Sequence, residues 1–286
     1  MSVDILQEKI RKMKNPSILE LALPLSDLPP QFARTADGYA DFCCELLEAL
    51  QGVVPAVRVS FAAFALMEGL DGLKRVLSAA RELGWYILLD APEIASAMMA
   101  QIVADTLLGD TSAFSCDGLV ISGYAGSDLI KPFLPYCKKQ KKDIFVITRT
   151  ANKSAPELQD LLCGTRLVHE AAADHVNRYI AGTEGKCGYA GVGILASASS
   201  AGSLRTLRAK YNRLFFLLDG LDYPNANAKN CSFAFDKFGH GAAACVGSSV
   251  LCAWKQAESD GSDYLEHAMA AVERTKKNLT RYVTIL

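Results

Sequence analysis

Short, continuous apolar runs recur along the chain and alternate with segments of helical periodicity. The runs are S-I-L-E-L-A-L (17–23), A-V-R-V-S-F (56–61), W-Y-I-L-L-D (85–90), G-L-V-I-S (118–122), D-I-F-V-I-T (143–148), G-V-G-I-L-A (191–196), L-F-F-L-L-D (214–219) and A-A-A-C-V-G (242–247). Their length and lack of strict alternation predict strands buried on both faces, as in a parallel sheet covered by helices. Helical spacing fills the gaps. Residues 69–83 place Leu73, Val76, Leu77 and Ala80 on one face, and Gly84 follows as a C-terminal cap. F-C-C-E-L-L-E-A-L (42–50) and M-A-A-V-E-R-T-K-K-N-L (269–279) have the same period. Eight such strands in 286 residues suit a closed (β/α)8 TIM barrel better than an open sheet. No linker, low-complexity tract or repeat interrupts the pattern, so a single domain over 1–286 is expected.

Composition narrows the classes of function. Thirty basic residues against thirty-one acidic ones leave a net charge of −1, which gives no electrostatic footprint for nucleic acid and no polybasic membrane tract. No apolar stretch approaches the ~20 residues needed to span a bilayer. The opening M-S-V-D-I-L-Q-E-K-I-R-K-M-K is amphipathic and mixed in charge, unlike a secretory signal. The nine cysteines are odd in number and form no C-x-x-C, so neither a disulfide framework nor a zinc ribbon is favoured. A reduced, soluble, cytoplasmic protein is the expectation, with no metal site.

In a barrel of this kind, chemistry gathers where strands end. The positions to watch are therefore Arg58, Ser60, Asp90, Ser122, Thr148 to Asn152, Ser197, Asp219 and Ser248. A serine or threonine there is more often a helix cap than a catalyst.

Five collinear segments point further. They are K-N-P-S-I-L (14–19), P-A-V-R (55–58), S-G-Y-A-G-S-D-L-I-K-P-F-L (122–134), T-A-N-K-S-A-P-E-L-Q (150–159) and G-H-G-A-A-A-C-V-G-S-S-V-L-C-A-W-K (239–255). In order and spacing the chain resembles the orotidine 5′-phosphate decarboxylases of the long bacterial type. The resemblance implies a cofactor-independent carboxy-lyase of pyrimidine biosynthesis, a homodimer with sites at the subunit interface, and an alternating array of lysines and aspartates. It places Asp90 and Arg58 in that array. It also places Thr150, Asn152, Gln159, Gly220 and Ser248 among residues that hold a nucleotide or phosphate ligand.

The array is not intact. Laid on the family's D-x-K-x-x-D, the stretch I-L-L-D-A-P-E-I-A-S keeps Asp90 but puts Pro92 on the lysine and Ala95 on the second aspartate. Proline has neither a side-chain proton nor a backbone N–H to offer. No lysine or arginine occurs between Arg81 and Lys131, so a small slip in register restores nothing. Ala22 falls on an aspartate, Ser248 on an arginine, Asp219 on a proline and Ala151 on a serine of the family pattern. Three readings stay open: a working decarboxylase; a barrel with other chemistry using Arg58, Asp90, Glu93, Lys229 or His240; and a non-catalytic binder of a nucleotide or a partner. Arg58 and Asp90 could equally form a residual ion pair, Glu93 could serve a helix N-terminus, and His240 could be an ordinary loop residue.

Overall fold

The computed structural model describes residues 1–286, and all eight expected strands are present. They are β1 Ser17–Leu21, β2 Ala56–Ser60, β3 Tyr86–Asp90, β4 Gly118–Ser122, β5 Asp143–Ile147, β6 Ala190–Ser197, β7 Leu214–Asp219 and β8 Ala242–Val246. Every pairing is parallel, and each strand's neighbours in the sheet are its neighbours in sequence until β8 closes on β1. This is a (β/α)8 barrel. A small antiparallel hairpin, Leu162–Cys163 with Arg166–Leu167, stands outside it.

The longer helices are α1 Ser2–Met13, α2 Ala36–Ala49, α3 Leu70–Glu82, α4 Ala97–Leu108, α5 Leu134–Lys139, α6 Val168–Asn177, α7 Ala201–Lys210 and α8 Tyr264–Thr280. In α3 the predicted face of Leu73, Val76, Leu77 and Ala80 is fully buried. Gly84 ends it at φ +74°. Its N–H donates to Arg81, and the N–H of Trp85 donates to Ala80. These two bonds satisfy the last orphan carbonyls of the helix in a Schellman arrangement. The expected helix at 42–50 starts earlier, at Ala36, because the Thr35 hydroxyl caps it by accepting from the Gly38 N–H.

Parallel strands in a barrel are tilted, so a row of paired residues descends as it passes round the sheet. The row Glu20–Arg58–Leu88–Gly118–Asp143 starts one residue from the C-terminal end of β1 and reaches the first residue of β5. Polar residues therefore gather at the two ends of one row, with an apolar interior between them. α1 lies near the base, where the Ser2 N–H donates to the Lys141 carbonyl just before β5. The C-terminal end of the barrel is left open. No helix is long and apolar enough to cross a membrane.

Candidate functional site at the barrel mouth

Arg58 organises the open end. Its side chain lies inside the barrel, 9% exposed, and meets three carboxylates from three strands. Nε donates to Asp90 Oδ1 at 2.8 Å, and Nη1 donates to Asp219 Oδ1 at 2.8 Å. Nη1 also lies 3.1 Å from Glu20 Oε1. Glu20 is the register partner of Arg58 on β1. Asp219 ends β7, three strands round from β2, and is reached only through the interior. The ion pair between Arg58 and Asp90 is therefore real, but it is one arm of a four-residue cluster.

Two cavities open on the cluster, and Arg58 is the one residue common to both. One, of about 400 Å³, is lined by Glu20, Ala22, Asp219, Gly220, Asp222, Cys245, Gly247 and Ser248 among others. The second, of about 410 Å³, is lined by Asp90, Pro92, Glu93, Ser122, Tyr124, Thr150 and Gln159 among others. Together they present five carboxylates (Glu20, Asp90, Glu93, Asp219, Asp222) and a single cation. Burial would weaken the charge on Arg58, but Asp90 and Glu20 more than offset it and hold the guanidinium firmly protonated. The carboxyls move the other way. Burial raises Asp90 above the ordinary aspartate range, opposed by Arg58. Burial raises Glu20 to about 7, Arg58 opposing and the charges of Asp219, Asp90 and Asp222 adding to it.

The remaining candidates divide between the cavities. Gln159 and Thr150 brace each other: Gln159 Oε1 accepts from the Thr150 N–H at 2.8 Å, and its Nε2 donates to the Thr150 hydroxyl at 2.9 Å. The Thr150 hydroxyl also donates to Asn152 Oδ1 at 2.5 Å. Asn152 is exposed and lines neither cavity. The loop is anchored from behind by Arg149, whose Nε and Nη2 grip the two carboxylate oxygens of Asp160 at 2.9 and 2.8 Å. Gly220 lies at φ +76°, and a Cβ there would fall 2.2 Å from that of Ala151, so glycine is required. Ser248 is exposed at the rim, and its hydroxyl lies 3.4 Å from Asp222 Oδ2. The same carboxylate oxygen accepts from the Gly247 N–H at 2.7 Å.

The structure places the other candidates as follows. Arg58 is engaged by three carboxylates through Nε and Nη1. Glu93 precedes the α4 cap, Ser96, by three residues and lies outside the helix's first turn. Lys229 lines neither mouth cavity. His240 lies just before β8, at the opposite end of the barrel from the mouth. Of the strand-end serines, Ser60 is a cap that accepts from the Ala63 N–H, while Ser197 turns its hydroxyl to Ser199. Glu20 and Asp222 were not singled out from the sequence. The available signal for Glu20 was a lone carboxylate at an inward-facing position of an otherwise apolar strand. No group of three or more His, Cys, Asp or Glu side chains is arranged to hold a metal ion.

A closed parallel barrel with a buried arginine–carboxylate cluster at its C-terminal mouth places the molecule among proteins that use that face for small-molecule sites. Within that class, the resemblance to the orotidine 5′-phosphate decarboxylases read from the sequence is borne out. The chain is 27% identical to the orotidine 5′-phosphate decarboxylase of Rhodopirellula baltica over 277 residues, covering 93% of this chain and 92% of that one. It is 28% identical to that of Clostridium perfringens over 276 residues, covering 94% of each. The Leishmania donovani OMP decarboxylase structure superposes with a TM-score of 0.75 at 23% identity, covering 96% of this chain and 99% of that one. The Leishmania donovani UMP synthase structure gives 0.77 at 24% identity, with 96% of this chain on 56% of that one. No protein-family model matches the chain.

Proposed function

We propose that the chain is an orotidine 5′-phosphate decarboxylase-like barrel that has little or no decarboxylase activity. The observation that carries this is the charge inventory of the mouth. A carbanion formed by loss of carbon dioxide must be stabilised by a fixed cation and then protonated. The only cation lining either cavity is Arg58, which is held by three carboxylates and does not release its proton at any working pH. Pro92 lines the cavity where the resemblance puts the proton donor. The phosphate position implied at Gly220 and Ser248 is crowded by the chain's own Asp219 and Asp222. A neutral or cationic group suits this mouth better than a phosphate. Incubation with orotidine 5′-phosphate, followed by ultraviolet absorbance, should show no conversion to uridine 5′-monophosphate above background. Turnover like that of an intact family member would overturn the reading.

One observation favours a second reading, in which the mouth performs other chemistry. Burial pushes Glu20 up to about 7 in the cavity it shares with Arg58, a direction that suits a general acid or base. Hydrolase and lyase activity on neutral substrates with a bell-shaped pH profile, abolished in Glu20→Gln, would support it.

Leu66, which ends a short helix after β2, is 86% exposed, and on α4 Met98 is 75% exposed with Met99 and Ile102 half-exposed. The resemblance implies a homodimer, and a second copy of the chain would cover these apolar side chains. Sedimentation analysis of wild type and Leu66→Glu/Met98→Glu should read dimer and monomer respectively.

A further inference from the structure

A cleft of about 670 Å³, larger than either mouth cavity, opens between the residues after β7 and the C-terminal half of α8. Lys229, Arg274 and Arg281 line it. None of the three takes part in an ion pair. Arg274, Asn278 and Arg281 follow one another at intervals of four and three, so a single stripe of α8 and its cap residue faces the cleft. Cations at the end of a helix also answer its dipole, but that effect fades within the last turn. Arg274 precedes Thr280, the last residue of α8, by more than a turn, and Lys277, which is in the last turn, does not line the cleft. The sole carboxylate in the lining is Asp222, already engaged by the Gly247 N–H. Asp222 and Leu221 form the wall shared with the mouth. One short loop thus separates a cavity rich in carboxylates from a cleft rich in unpaired cations.

We propose that this cleft binds a phosphate monoester. Three unpaired cations, two of them guanidinium groups able to grip two oxygens at once, match a phosphate dianion. The volume falls within the roughly 300–1,000 Å³ of small-molecule sites. Tyr282, half-exposed in the lining, offers a flat face to a sugar or base carried on the phosphate. The site stands apart from the decarboxylation chemistry, and its test reads binding alone.

The test is calorimetric titration of the full chain with inorganic phosphate and with uridine 5′-monophosphate at low ionic strength. The expected result is saturable one-to-one binding of at least one probe, weakened by added salt. It should weaken by about tenfold or more in Arg274→Gln/Arg281→Gln, a variant changed only at exposed helix positions and checked for fold by circular dichroism. Glu20→Gln, which relieves the negative mouth, should leave affinity within about twofold. Absence of saturable binding by both probes would overturn the proposal. So would equal affinity in the double variant, or tighter binding in Glu20→Gln with no loss in the double variant, which would place the anion in the mouth.

Discussion

At the sealed base of the barrel, Asp143 has no solvent exposure and one close partner, the Tyr86 hydroxyl, which donates to Oδ2 at 2.5 Å. At the open mouth, Glu20, Asp90 and Asp219 share a guanidinium that is itself nearly sealed from water. Both ends of one descending row confront the cost of burying carboxylates. At the base, burial pushes Asp143 well above the ordinary range, which favours its neutral form, and the Tyr86 hydroxyl holds it by a hydrogen bond. At the mouth a cation is kept, with carboxylates gathered round it. Neutralisation suits an end with nothing to do, whereas a retained cation among excess carboxylates suits an end that meets ligands.

Removing the cation should produce the largest effect. Arg58→Met strands three carboxylates in the interior and is expected to cost about 3–5 kcal/mol, measured by urea denaturation near pH 7.5. The loss should shrink at pH 4.5, as the stranded groups take up protons. An equal loss at both pH values would show that packing, not charge, holds the mouth. The corresponding change at the base is Tyr86→Phe, which removes the one donor to Asp143 and should cost about 1–3 kcal/mol.

The pH dependence sharpens the contrast further. For a carboxyl whose folded pKa is raised, the native state holds a proton that the unfolded chain has lost. The resulting stability is complete below the unfolded pKa and drains away as pH rises through the folded one. For Glu20 the window runs from 4.5 to about 7. Glu20→Gln should therefore flatten the fall in melting temperature across that window and leave the variant relatively more stable at pH 8. Asp143→Asn should likewise gain on wild type as pH climbs above the ordinary aspartate range of 3.8. The smallest effect belongs to the rim: Ser248→Ala loses only a long contact to Asp222 and should shift stability by less than about 0.5 kcal/mol.

Much of this architecture was legible in the chain. Continuous apolar runs, helical periods and cap residues such as Gly84 encode the barrel locally, and they located all eight strands to within two residues. The Arg58–Asp90 pair was also accessible, since both fall at the ends of adjacent strands. Glu20 and Asp219 as further partners of Arg58 were not, because barrel closure and strand tilt bring them together across the interior. Periodicity records which face a residue takes, not which distant strand it meets. The mouth's excess of carboxylates was hidden for the same reason, as the net charge of −1 averages over surfaces of opposite sign.

The close approach of Gly220 to Ala151 bears on the substitutions open to this molecule. The loop after β5 and the loop after β7 touch with no room to spare, 2.2 Å from a Cβ that is absent. Any side chain larger than glycine at 220 therefore requires the loop after β5 to move. The loop after β3, by contrast, carries Pro92 and Ala95, which line up with the lysine and second aspartate of the pattern read from the sequence.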